Sequence, residues 1–137
     1  MDKKTKIWIL VFVLVILVVG SFYVIDQTPF WECAWSGTGR AWIDTNQNGV
    51  WDEGEDPLPG VMFSVDDVRN GDEKVITAQG GENGAVKLVI ELKQCPSVAY
   101  AVYVEVPQGY RLTTPERLVD ERMTNDAEFL FGFVPVE

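Results

Sequence analysis

From residue 38 onward the apolar side chains recur with a period of two, and this constrains the fold more than any other feature. Gly39, Ala41 and Ile43 alternate with Arg40, Trp42 and Asp44. The same alternation runs through Val61-Phe63-Val65, Val86-Leu88-Ile90-Leu92, Tyr100-Val102-Val104-Val106 and Phe129-Phe131-Phe133. Successive side chains of an extended strand point to opposite faces, so each set is one face of a half-buried strand. A further short strand is expected at residues 75–77. Turn-forming residues fall between the runs, at Pro57-Leu58-Pro59-Gly60, Asn70-Gly71, Gly80-Gly81, Asn83-Gly84 and Pro107-Gln108-Gly109. No stretch after residue 26 keeps a helical period, and residues 117–123 are expected to make one helical turn at most. The reading is an all-β, Ig-like β-sandwich of about seven short strands over about 100 residues.

The N-terminus breaks this pattern. Lys3, Lys4 and Lys6 lie in residues 1–6, and residues 7–25 then run for 19 residues without a charge. As a helix this stretch would be roughly 28 Å long, close to the hydrocarbon thickness of a bilayer. Asp26 and Glu32 follow it, so the lysines are expected to stay in the cytoplasm and the remainder to lie outside the cell. Trp31 and Trp35 are expected at the outer interface as aromatic anchors. An uncleaved transmembrane signal anchor is the favoured reading. A cleaved signal peptide ending near Gly20 and Ser21 is the alternative, which would make the body secreted. The expected layout is a cytoplasmic segment at 1–6, a span at 7–25, a linker at 26–36 and a sandwich at 37–137.

Beyond residue 25 the chain carries eight basic and twenty acidic groups, a net charge of −12. Such a body repels a phosphate backbone, which argues against nucleic-acid binding. The chain has no histidine, which removes histidine-based acid–base catalysis and most zinc and haem sites. The expectation is a protein that is not an enzyme. Cys33 and Cys95 are the only cysteines, and an exported domain favours a bridge between them. It would close a loop of about 60 residues, worth about 3–4 kcal/mol in the chain-entropy account.

One motif carries chemistry. Residues 44–55 read Asp44-Thr45-Asn46-Gln47-Asn48-Gly49-Val50-Trp51-Asp52-Glu53-Gly54-Glu55. A calcium loop of twelve residues uses side-chain oxygens at places 1, 3, 5, 9 and 12, a carbonyl at 7 and glycine at 6. Those places hold Asp44, Asn46, Asn48, Asp52 and Glu55, with Val50 and Gly49. Three negative ligands suggest moderate calcium affinity, near the 10⁻⁴–10⁻³ M of extracellular modules. Trp42-Ile43 before the loop and Pro57 after it replace the usual flanking helices, so the loop joins strands. Trp42 and Trp51 are expected to pack around it. Asp66, Asp67, Asp120 and Asp126 are expected to form a solvated acidic rim.

The stretch from Gly39 through Gly54-Glu55, followed by Pro57-Leu58-Pro59-Gly60-Val61, resembles the opening of the B-type domain of serine-aspartate repeat surface proteins. Thr77 through Asn83-Gly84 is similar to the hairpin of that family. Tyr100 through Val104 with Pro107-Gln108-Gly109-Tyr110, and Phe131-Gly132-Phe133, are similar to its later strands. The resemblance covers about residues 37–135. It implies a prealbumin-like sandwich that binds calcium through Asp44, Asn46, Asn48, Val50, Asp52 and Glu55. It further implies a structural or adhesive role at the cell surface. Gly81, Val86 and Leu88 depart from the family pattern, and neither a serine-aspartate stretch nor a Leu-Pro-x-Thr-Gly signal is present. The other functional reading is an extracellular module that binds carbohydrate or protein.

Overall fold

The computed structural model describes residues 2–27, 33–92, 97–122 and 126–136. The chain forms two compact units, Met1–Glu32 and Cys33–Glu137. In the first, α1 spans Lys3–Gln27. Its segment Lys3–Ser21 is long and apolar enough to cross a membrane, and no part of that window is buried within the protein. The apolar side chains surround the helix with no polar stripe.

The second unit is the sandwich. Its strands are β1 (Cys33–Ile43), β2 (Met62–Asp67), β3 (Glu73–Gln79), β4 (Ala85–Leu92), β5 (Tyr100–Glu105), β6 (Tyr110–Leu112), β7 (Arg117–Asp120) and β8 (Ala127–Pro135). One sheet has the order β4-β1-β8-β6, the other β3-β2-β5-β7. All neighbours are antiparallel except β1 and β8, which run parallel from Gly37↔Ala127 to Ile43↔Phe133. The chain therefore enters at Cys33 on one pole and leaves β8 on the opposite pole. The eleven residues of β1 put these poles roughly 36 Å apart.

The alternating residues meet as expected. Ala41, Val61, Phe63, Val65, Leu88, Val102, Phe129, Phe131 and Phe133 are buried in one core, with Phe63 and Phe131 edge to face at 5.9 Å. Two glycines of β1 make room for the phenylalanines. A Cβ on Gly39 would come within 2.5 Å of the Phe63 ring, and one on Gly37 within 2.5 Å of Phe129.

The structure corrects four local expectations. β1 starts at Cys33, inside the expected linker, because β4 pairs with it back to Cys33↔Leu92. Trp35 is consequently a core residue with no exposed surface, not a membrane anchor. Residues 117–120 form a strand rather than a helical turn, held by pairing with Tyr100–Tyr103 of β5. Asp120 leaves the acidic rim: it is buried and accepts a hydrogen bond from Trp35 Nε1 at 3.1 Å. The other rim acids serve locally. Asp66 accepts from the Tyr103 hydroxyl, Asp67 caps the 3-10 turn at Val68–Asn70, and Asp126 pairs with Lys87. Trp31 and Cys95 lie outside the described residues. Cys33 is disulfide-bonded, and no described cysteine is free.

Candidate metal centre

β1 and β8 deliver Asp44 to the exit pole, where its N–H donates to Phe133 O at 2.8 Å and continues the parallel ladder by one step. The chain then leaves the sheet and returns alongside it. Ile43 N donates to Asp56 O at 2.8 Å, and Leu58 N to Ala41 O at 2.9 Å. Both ends of the segment 44–55 are thus tied to the same strand, and the residues between them close into a ring.

Six oxygen-bearing positions of that ring were singled out from the sequence, and hydrogen bonds interlink the five side chains among them. Asp44 has no exposed surface; its two oxygens accept from Asn48 N at 3.1 Å and Gly49 N at 2.8 Å. Asn46 Oδ1 accepts from Asn48 N at 3.1 Å, and Asn48 Oδ1 from Val50 N at 2.7 Å. The Asn46 and Asn48 amides both donate to one oxygen of Asp52, at 2.7 and 2.6 Å. Glu55 reaches back across the ring to accept from Thr45 N at 2.9 Å and Asp52 N at 3.1 Å. The turn that makes this closure possible has Gly49 at φ 73° and Gln47 at φ 57°. Glycine adopts the left-handed region without the Cβ penalty that Gln47 carries. Gln47 is fastened in turn by Arg111 of β6, which donates to its Oε1 at 2.5 Å.

Burial alone would raise the pKa of Asp44. Thr113 and the N–H groups of Gly49, Asn48 and Gln47 act the other way, and the balance lies below the ordinary 3.8 of an aspartate. The Thr113 hydroxyl is buried beside this carboxylate and has no partner of ordinary hydrogen-bond geometry, so the firmest of these donors are the N–H groups. The carboxylate is therefore charged at neutral pH and already oriented.

The donor set suits a hard cation. It offers three carboxylates, two amide oxygens and a carbonyl, all oxygen, and so matches calcium in type and number. Among the described residues no three acidic, His or Cys side chains gather closely enough to grip an ion alone. Asn46, Asn48 and Val50 would have to complete the set. Their amide nitrogens meet Asp52 while their oxygens accept from Asn48 N and Val50 N, and each of those oxygens keeps a second lone pair that could face an ion.

Thr113 and Arg111 were not foreseen. They come from β6 and its end, some 60 residues away, and nothing local marks them. Gly132 had a visible signal. It interrupts the Phe131-Phe133 strand, and a Cβ there would come within 2.5 Å of Thr113 Oγ1 and 3.2 Å of Asp44 Cβ.

Two four-stranded sheets with parallel terminal strands and an oxygen-rich loop at one pole define a prealbumin-like, pilin-like β-sandwich. The similarity to solved structures agrees. The shaft pilin SpaA from Lactobacillus rhamnosus GG superposes with a TM-score of 0.58 at 13% identity, covering 76% of this chain and 50% of that one. The separately solved N-terminal domain of the same pilin gives 0.52 at 13% identity, covering 76% and 95%. The chain thus spans about half the length of the longer pilin chain, and what is shared is the fold. Curated proteins gave no match. The family model described as SdrD B-like domain matches residues 38–133, and the chain belongs to that family.

Proposed function

We propose that this protein is a calcium-stabilised structural module, held in a membrane by residues 7–25 and displayed outside the cell. Its work is mechanical or adhesive and involves no catalysis. The observation that carries this reading is the position of the loop. The chain enters and leaves at opposite poles through two strands that are parallel neighbours, so a pull between the ends loads the β1–β8 ladder in shear. The residues 44–55 close over the last rung of that ladder. A cation held by Asp44, Asn46, Asn48, Val50, Asp52 and Glu55 would fasten the seam at its exit end. A Cys33–Cys95 bridge would fasten the opposite pole, since Leu92, three residues before Cys95, is in register with Cys33. Membership of a surface-domain family and the apolar character of α1 support the location.

Calcium that binds the folded loop and not the unfolded chain raises stability by mass action. At about 2 mM calcium and an extracellular-type affinity the gain is about 0.6–1.8 kcal/mol, several degrees in melting temperature. Melting the full chain in detergent with calcium and with chelator measures it. Identical melts would remove the metal from this reading.

A second reading, a ligand-binding module, is favoured by a groove of about 340 Å³ lined by Asp66, Asp72, Tyr103, Glu116 and Arg117. Tyr103 supplies a ring and a hydroxyl, and Arg117 pairs with Asp72. Aromatic and planar polar groups of this kind suit sugar hydroxyls. On this reading the full chain binds components of a glycan array, and Tyr103→Ala or Arg117→Ala abolishes that binding. Failure of the wild-type chain to retain any glycan excludes it.

A further inference from the structure

On β1 the core-facing residues are Trp35, Gly37, Gly39 and Ala41, so Arg40 and Trp42 point to the outer face of the sheet. A tryptophan on an outer face ordinarily meets solvent. Trp42 instead has no exposed surface, although it lies outside the main core cluster. Two features bury it. Gly132 on β8 leaves space for its ring: a Cβ there would come within 2.8 Å of Trp42 Cζ2. The second is Trp51 from the loop, whose ring lies parallel to that of Trp42 at 6.0 Å and 9°.

Trp51 is gripped further. The Arg40 guanidinium stands 5.7 Å from the centre of its ring, and Glu128 of β8 holds that guanidinium at 3.3 Å. The Trp51 indole N–H points back into the loop, at 3.4 Å from Glu55 O. The neighbours of Trp51 in sequence are Val50 and Asp52. The outgoing half of the expected ligand set, Val50, Asp52 and Glu55, is therefore backed by this indole, in addition to its hydrogen bonds to Thr45, Asn46 and Asn48. In the incoming half, Asp44 is fixed by the β1–β8 ladder and by the N–H groups of Asn48 and Gly49, with no contact to the indole among these bonds.

We propose that Trp51 is the positioning residue of the cation loop. By wedging against Trp42 and Arg40 on the outer face of the first sheet, it holds Val50, Asp52 and Glu55 in place for calcium. This rests on the calcium reading above. It adds that affinity is set by a packing contact outside the ligand set. Loss of the indole leaves Asp44 in place and removes only the packing behind the outgoing half, whose hydrogen bonds to Thr45, Asn46 and Asn48 remain, so binding weakens instead of vanishing.

The test uses the full chain in detergent, with calcium chloride as the titrant in calorimetry. The expected result for Trp51→Ala is a 10–100-fold weaker affinity, the size of effect seen when groups behind metal ligands are removed. Trp51→Phe, which keeps a stacking ring, recovers most of the loss. Arg40→Met, which leaves the indole in place, weakens binding about three-fold. Exciton-coupled circular dichroism of the Trp42–Trp51 pair, taken as wild type minus Trp51→Phe, strengthens when calcium is added. A purely structural Trp51 would lower the melting temperature with and without calcium equally and leave the affinity of the folded protein unchanged. That result overturns the proposal. If Trp51→Ala does not fold, Trp51→Leu replaces it, with about ten-fold weaker binding expected and unchanged binding decisive against it. Absence of calcium binding by the wild-type chain overturns the calcium reading itself, an outcome separate from unchanged affinity in the variants.

Discussion

Replacing Asp44 by alanine is expected to lower the unfolding free energy by about 3 kcal/mol even in chelator, and to abolish any further stabilisation by calcium. The two effects have different origins. The carboxylate is wholly buried and accepts the N–H groups of Asn48 and Gly49, which fold the first half of the loop over it. Hydrogen bonds to a charged group contribute about 1.5–3 kcal/mol each, less what the protein spends in desolvating the charge. Alanine leaves the Gly49 N–H facing a space with no acceptor and the Asn48 N–H with Asn46 Oδ1 alone. The calcium effect is a separate loss of one negatively charged ligand. Asp44→Asn divides the two, because it keeps the shape and one acceptor oxygen: about half the intrinsic loss and nearly all of the calcium loss are expected. Urea denaturation of wild type and both variants, each with calcium and with chelator, reads these quantities.

The pH dependence provides an internal check. The folded-state pKa of Asp44 lies below 3.8, so its contribution to stability is fully present above about pH 3.8. It is lost as the pH falls through the folded value, where the carboxylate takes up its proton. Wild type should therefore lose more stability than Asp44→Asn between neutral and strongly acidic pH. An equal loss in both proteins would show that Asp44 does not carry the effect.

The closed loop at residues 44–55 was legible because its pattern is local. Six oxygen-bearing positions and one glycine occur at fixed spacing within twelve residues, and the fold only has to close the ring. The long strands were legible for a similar reason, since Val86 to Leu92 and Tyr100 to Val106 are long enough to show their period. β6 and β7 were not. Three and four residues are too few to establish an alternation, and β7 exists because β5 offers Tyr100–Tyr103 as a pairing edge. Trp42 and Trp51 were expected near the loop, but their stacking depends on Gly132, 81 residues after Trp51. Thr113, Arg111 and Asp120 acquire their roles only when distant strands meet. Trp35 misled for a physical reason: a tryptophan just beyond an apolar span is as suited to a bilayer interface as to a core.

For Trp35 the two environments predict different outcomes. The structure places its ring in the core, 4.9 Å from Tyr100 and 5.8 Å from Phe129, with its N–H on Asp120 Oδ2. Trp35 belongs to the first sheet, whereas Tyr100 and Asp120 belong to the second. One side chain thus joins the two sheets by packing and by a hydrogen bond. Trp35→Ala is expected to cost about 4 kcal/mol, within the range for emptying a buried aromatic site, and to lower the melting temperature by roughly 15–30 °C. Trp35→Phe keeps most of the packing and gives up the N–H, so about 1–2 kcal/mol is expected. An interfacial anchor would behave otherwise. Its loss would change how the chain partitions into lipid and leave sandwich unfolding nearly untouched, since an exposed side chain away from the core contributes within about 0.5 kcal/mol. Denaturation of the three proteins in the same detergent separates these cases. A cost below 1 kcal/mol for Trp35→Ala would detach the start of β1 from the core and restore residues 33–36 to the linker.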